Sequence, residues 1–210
     1  MELAKRGLVV LLLLAALVAF DFYSGYLGTT PLTGAVTAAK KCGADLASYP
    51  CQFVKDGKWN AIVAVGDVAD GNAAAAVTAI AQGLQSSDRV ITTKTKRASQ
   101  VSDVFGQNVI SIGTGCSNNV TRKIQAKFGD ADKKQCWNPA LIKEGEGAIT
   151  LYDFGNGKAG LVVEGYTGED MKRAAKVLQG YKDWKAAGLL KGKSVIVVQN
   201  SAGSARIVRR

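Results

Sequence analysis

Apolar and polar positions fall into blocks along this chain, and the blocks recur. Three times a short apolar run ends in a glycine, passes through a small polar turn and opens onto a segment with helical periodicity. The copies read NAIVAVGDVADGNAAAAVTAIAQGL, NVISIGTGCSNNVTRKIQAKF and AGLVVEGYTGEDMKRAAKVLQGY, with Gly66, Gly113 and Gly165 at the pivots. Apolar runs of this length bounded by glycine suit strands buried on both faces, and strands alternating with helices imply crossover connections on a parallel sheet. The pattern predicts an α/β fold: a Rossmann-like layered domain with a mostly parallel, mixed sheet flanked by helices.

The same pattern places the elements. Strands are expected over Asn60 to Gly66, Arg89 to Thr93, Asn108 to Ile112 and Ser194 to Val198. Helices are expected over Asp70 to Leu84, where Ala73 to Ala76 permit close approach to the sheet, and over Asn118 to Phe128 with Ser117 as its cap. A short polar helix or turn spans Ser99 to Phe105. Two strand-like runs flank Asn156-Gly157, a dipeptide suited to a tight turn, so one antiparallel hairpin joins the parallel strands. Thr167 and Asp170 have the spacing of a capping box for a helix reaching about Trp184, with Lys172, Arg173 and Lys176 on its wet side.

Ahead of these units, residues 8–20 form the uninterrupted apolar run LVVLLLLAALVAF behind Lys5 and Arg6. This predicts an N-terminal hydrophobic helix. At about 1.5 Å per residue the run spans about 20 Å, short of the roughly 30 Å hydrocarbon core, which favours a cleaved secretory signal over an uncut anchor. Arg6-Gly7 before the run also resembles the processing site of archaeal pilins, which makes a filament subunit an alternative. A mature terminus at Leu8 marks the pilin, one near Tyr26 the secreted protein, and an intact Met1 the anchor. The expected organisation is a signal or anchor at 1–25, an irregular segment at 26–58 with a short helix in TTPLTGAVTAA, an α/β domain at 59–200 and a solvated basic tail at 201–210.

An exported chain with four cysteines invites disulfides. Of the three connectivities the local one is simplest: Cys42 with Cys51 in one small loop, and Cys116 with Cys136 around the second helix. A zinc site is the competing use of these thiols, but there is no C-x-x-C pair and no histidine. The formal charge is +10, from 27 Lys and Arg against 17 Asp and Glu. Such a balance favours acidic glycans, a membrane surface or a more acidic neighbour as partners. Nucleic acid is not expected, because the lysines are scattered instead of interleaving with aromatics.

The chemistry on offer is sparse. Without histidine, Ser-His and Cys-His nucleophiles and the common zinc hydrolase sets are excluded, and no enzyme is expected. Asp67, Asp70, Glu164, Glu169 and Asp170 fall near strand carboxyl ends, where α/β ligands bind, yet acidic residues also stand there routinely as helix caps. Gly113-Thr114-Gly115 before a helix looks like a turn that presents amides to a pyrophosphate, but Asn118 stands where the third glycine belongs. Gly192-Lys193-Ser194 resembles the end of a phosphate loop but leads into a strand. No metal or cofactor is expected. The candidate ligand-facing turns are Gly66, Asp67, Gly113, Thr114, Gly115, Gly165 and Thr167, which suit a secreted sugar- or nucleotide-binding module. Asn119-Val120-Thr121 is an N-glycosylation acceptor.

Residues 49–198 also carry an ordered series: YPCQFVKDGKWNAIVAVGD, IGTGCSNN, Cys136, GEGAITLYDFGNGKAGLVVEGYTGEDMKRAAKVL and LKGKSVIVV. In order and spacing it resembles the archaeal surface-layer (S-layer) protein family. Gly115 stands where that family often has proline, and Met171-Lys172 replaces its usual threonine-arginine. The resemblance implies an extracellular, structural protein of an archaeal cell envelope that associates with copies of itself or with other surface-layer proteins, or a small accessory of such a coat. It also favours the Cys116–Cys136 pair.

Overall fold

The computed structural model describes residues 42–68, 70–85, 92–131, 136 and 141–208. The expectations for the N-terminal hydrophobic helix, signal or anchor, pilin-type processing site and TTPLTGAVTAA helix lie outside the described residues.

The main sheet has seven strands. They are β3 (Ile62–Val65), β4 (Lys94–Arg97), β5 (Val109–Ile112), β6 (Glu146–Asp153), β7 (Ala159–Gly165), β8 (Ser194–Gln199) and β9 (Ala205–Val208), ordered β4-β3-β5-β7-β6-β8-β9. A two-stranded ribbon, β1 (Val54–Lys55) with β2 (Lys58–Trp59), precedes them. The fold is α/β with a mixed sheet, but the expectation of mostly parallel strands needs correction. β4, β3, β5 and β7 run parallel, whereas β7, β6, β8 and β9 pair antiparallel. The hairpin around Asn156-Gly157 reverses the chain between β6 and β7, the helical connection after β7 returns it to β8 on the far side of β6, and a turn leads to β9, so half of the pairings are antiparallel.

Strand alternation divides the interior in two. Val63, Ile110, Ile112, Ile149, Leu161 and Val163 face one layer, built from α1 (Gly71–Leu84) and α3 (Gly168–Gln179). Ala64, Val109, Tyr152 and Val162 face the other, closed by α2 (Asn119–Phe128) through Val120 and Ile124. Small residues let α1 approach α3: Ala73, Ala76 and Ala79 are buried, and a Cβ on Gly83 would meet Gln179 Cα at 2.5 Å. Thr167 and Asp170 form the expected capping box on α3. That helix stops at Gly180 and α4 (Tyr181–Ala186) follows, so the single helix expected to about Trp184 is two.

Other expectations are corrected or refined. Of the strand placed at Arg89 to Thr93, residues 89–91 lie outside the described residues, Thr92 and Thr93 are coil, and β4 itself lies at Lys94–Arg97. Pairing of Lys94–Arg97 with Ile62–Val65 sets that position, and every residue of β4 is exposed, so no apolar signal marked it. Of the short polar helix or turn expected over Ser99 to Phe105, the turn is present, as a 3-10 turn at Ala98–Gln100. The basic tail contains β9, whose Ile207 is buried against β8. The irregular segment before residue 59 is in part core. Leu46, Tyr49 and Phe53 are fully buried there, each contributing on the order of 1.5–3 kcal/mol of apolar burial.

Both disulfides pair as expected, Cys42–Cys51 and Cys116–Cys136. The first closes the loop that holds Leu46 and Tyr49. Asp45 tethers the same loop, accepting from Gly192 N at 2.9 Å, and Lys185 Nζ donates to the Tyr49 carbonyl at 2.9 Å. Two closed disulfides indicate an extracellular or otherwise oxidising environment. No described helix is long and apolar enough to cross a membrane.

Candidate functional site

The neighbouring strands β3 and β5 send the chain in opposite directions. After β3 it enters α1 on one face, and after β5 it enters α2 on the other. Diverging connections leave a crevice at the strand carboxyl ends, the place where open α/β sheets hold ligands. A cleft of about 400 Å³ lies there, lined among others by Gly66, Asp67, Asp70, Gly113, Ser117 and Arg122.

Asn118 holds the elements around the cleft from behind its lining. Fully buried, it donates through Nδ2 to the carbonyls of Ala64 (3.0 Å) and Ile112 (2.9 Å), while its Oδ1 accepts from Val120 N (2.9 Å) and Thr121 N (3.4 Å). One side chain thus ties β3, β5 and the first turn of α2 together. It, and not Ser117, is the cap of α2. Asn118 has both a donor and an acceptor and meets two strand ends, which a hydroxyl at position 117 cannot reach; Ser117 Oγ instead donates to the Thr114 carbonyl at 3.3 Å. Behind the cap, Thr121 Oγ1 donates to the Gly113 carbonyl at 2.8 Å and shares a hydrogen bond with Ser111 Oγ.

The turns demand their glycines. A Cβ on Gly66 would run into the Ser117 carbonyl oxygen, and Gly113 adopts φ +117, a backbone state that side chains disfavour. Gly115 N donates to the Cys136 carbonyl at 2.9 Å, and the Cys116–Cys136 bridge flanks this rim.

Of the candidate ligand-facing residues, Gly66, Asp67, Gly113 and Gly115 line the cleft. Thr114, Gly165 and Thr167 do not. The Thr114 carbonyl is occupied by Ser117 N and Asn118 N, Gly165 packs against the start of α3, and Thr167 is used as its cap. Asn119 is half-buried at the first position of α2 and lines the cleft, its Oδ1 accepting from Arg122 Nη2 at 2.8 Å. Arg122 went unrecognised in the sequence; its place one turn into α2, beside an N-terminal cap, was the signal available.

The acidic residues separate. Asp67 Oδ1 accepts from Ser99 Oγ (2.6 Å) and Ser99 N (3.0 Å); these bonds, with Arg97 nearby, hold its exposed carboxyl below the ordinary value. Asp70 caps α1, accepting from Asn72 N at 2.9 Å. Glu169 pairs with Lys172, and Asp170 with Arg173 at 2.7 Å. Glu164 is fully buried beneath α2: Oε1 accepts from Gln125 Nε2 at 2.8 Å and Oε2 has no hydrogen-bond partner among the described residues. Burial pushes its carboxyl up to about 7, against the lowering pull of the Gln125 hydrogen bond. No group of three or more His, Cys, Asp or Glu side chains gathers to hold a metal ion among the described residues. The lookalike phosphate loop at Gly192-Lys193-Ser194 runs into β8, as expected.

No protein-family model and no curated protein matches the chain.

The cleft therefore offers two carboxylates, one guanidinium, hydroxyl and amide groups, and apolar contacts from Val68 and Met171. Asn72 N in the first turn of α1 already has an acceptor in Asp70, and Val120 N and Thr121 N in that of α2 have one in Asn118. With those amides capped and two carboxylates at the rim, the cleft repels a polyanion and suits a neutral, hydroxyl-rich molecule.

Proposed function

We propose that the chain is a non-enzymatic structural or accessory protein of an archaeal cell surface, acting by association with itself or with other surface-layer proteins. The observation that carries this reading is the pair of disulfides, which staple both the entry loop and the rim of the sheet in a domain suited to an oxidising exterior. The resemblance to surface-layer sequences supplies the role. The layered, Rossmann-like arrangement supplies a rigid block whose acidic residues are largely engaged in capping and pairing. Asn119, with its acceptor motif at the cleft rim, is the candidate glycan attachment point. Gold-labelled antibody on intact cells of the source organism tests the proposal: labelling of the surface without permeabilisation is expected, and labelling only after permeabilisation rejects it.

One observation favours a second reading, a secreted sugar-binding module: the cleft lies where the connections after β3 and β5 diverge. Its rim carboxylates disfavour a nucleotide. Thermal-shift screening with neutral saccharides distinguishes the two readings, because a ligand at a hundred times its dissociation constant adds about 2.7 kcal/mol of stability.

A further inference from the structure

At the opposite end of the parallel strands lies a second concavity, about 290 Å³, with a different chemistry. Its lining includes Lys94, Lys96, Lys158, Asn60, Gln107 and Trp59, and no carboxylate among the described residues. Register explains the lysines: Lys94 lies opposite Ile62 and Lys96 opposite Ala64, so both project from the same face of β4, about 6.6 Å apart along the strand. Lys158 arrives from the hairpin before β7. The ion pairs among the described residues involve Lys172, Arg173 and Lys193, and none of the three groove lysines.

The floor is rigid. Buried Asn108 donates to the Asn60 carbonyl at 3.0 Å and accepts from Ala159 N at 2.9 Å, fixing the beginnings of β3, β5 and β7 relative to one another. Asn156 holds the hairpin, accepting from Lys158 N at 3.1 Å and donating to the Phe105 carbonyl at 2.9 Å. Three cations with no ion-pair partner among the described residues are therefore presented by a pre-formed groove, which concentrates positive potential.

We infer that this groove binds an acidic polysaccharide, its carboxylate or sulfate groups held by Lys94, Lys96 and Lys158 and its hydroxyls by the neighbouring amides. Half-buried Trp59 offers a ring edge or face to the sugar. A membrane surface fits less well, because among the described residues the large apolar side chains that stand exposed, Val68 (84%) and Tyr166 (37%), follow β3 and β7 at the far end of the sheet. The inference extends the proposed surface role but does not need a lattice. Failure of the localisation experiment removes the envelope as the source of the saccharide, whereas failure of the titration below removes the site.

The test measures binding of the full, disulfide-closed chain to surfaces carrying polygalacturonate, dextran sulfate or neutral dextran, at low and at physiological salt. Binding to one or both acidic polymers, absent on neutral dextran and weaker in salt, is expected. The K94S/K96S/K158S variant should lose about tenfold to a hundredfold in affinity, at about one interaction of surface strength per lysine. A control of equal charge change, K123S/K176S/K182S, alters exposed lysines on helices and should lose less than about twofold. Circular dichroism confirms that both variants fold. Equal losses in the two variants, or no binding to either acidic polymer, overturn the inference. So does binding to phosphatidylglycerol nanodiscs or single-stranded DNA through the groove lysines without binding to the polysaccharides.

Discussion

Glu164 sets the pH dependence of this fold. Its carboxyl is fully buried beside Gln125, and burial raises it from 4.5 to about 7, with Asp130 adding a smaller push in the same direction. The folded state thus holds this proton more tightly than the unfolded chain does. Its contribution to stability is complete below about pH 4.5, falls as pH rises through the interval, and levels off above about 7. At 1.36 kcal/mol per pH unit the interval is worth about 3 kcal/mol. Glu164→Gln removes the titration while leaving an oxygen to accept from Gln125. Its amide stands where the protonated wild type places an O–H on Oε2, and neither has a partner there, so the two are comparable at low pH. The variant should therefore match wild type near pH 4.5 and exceed it by up to about 3 kcal/mol at pH 8.5, where the buried wild-type carboxyl is ionised. Urea unfolding followed by circular dichroism between pH 4 and 9, with disulfides closed, reads the difference as a relative midpoint shift of about 1–3 M. Asp67, held low, acts with the opposite sign: its contribution is present above its ordinary value of 3.8 and is lost as pH falls further. It is common to both proteins and cancels in the comparison. Parallel stability curves for wild type and variant across pH 5–8 refute the assignment.

Other perturbations follow from the same contacts. Gly165→Ala places a methyl against the backbone of Met171 and Thr167, and Gly66→Ala places one against Ser117; each should cost about 1–3 kcal/mol and lower the melting temperature, whereas Gly71→Ala, with open space around it, should not. Asn118→Ala removes a cap and leaves two strand carbonyls without their donor, a loss of about 2–4 kcal/mol in chemical denaturation. Opening Cys116–Cys136 by paired serine substitution frees a loop with sequence separation 20, a destabilisation of about 3 kcal/mol on chain-entropy grounds; the Cys42–Cys51 separation of 9 gives about 2.6 kcal/mol. Equal melting temperatures for reduced and oxidised protein contradict both values.

What the sequence disclosed was whatever local chemistry alone determines. Asn156-Gly157 marked the hairpin, Thr167 and Asp170 marked a helix start, and apolar runs ending at Gly66, Gly113 and Gly165 marked strands buried on both faces. β4 escaped notice because a strand paired through one neighbour and exposed throughout needs no apolar side chains, so KTKR reads as a solvated loop. β9 escaped for a related reason: SARIVRR has one buried anchor, Ile207, and its pairing partner β8 lies across a turn. Part of the candidate cleft was legible, since Gly66, Asp67, Gly113 and Gly115 follow directly from the turn after a buried strand. Gly165 and Thr167 occupy the equivalent turn, but there the helix packs down on the strand and closes the space. The helices after Gly66 and Gly165 lie on the same face, so the difference is how closely each helix start packs on its own strand, a matter of tertiary packing that the turn sequence does not carry.

The two ends of the sheet differ in a way that bears on how the domain meets its surroundings. At the strand carboxyl ends, the charges are largely answered from within: Asp70 by its helix, Asp67 by Ser99, Asp170 by Arg173. At the other end, Lys94, Lys96 and Lys158 line a groove with no carboxylate among the described residues. Internal neutralisation lowers the cost of folding but leaves little to offer a partner. Uncompensated lysines repel one another, and an external polyanion relieves that repulsion. On this reasoning, substituting the groove lysines should leave the fold unharmed or slightly stabilised while weakening adhesion. Breaking the caps at the opposite end should do the reverse, lowering stability with little change in polyanion binding. A variant set in which adhesion and stability fall together at both ends contradicts this division of roles.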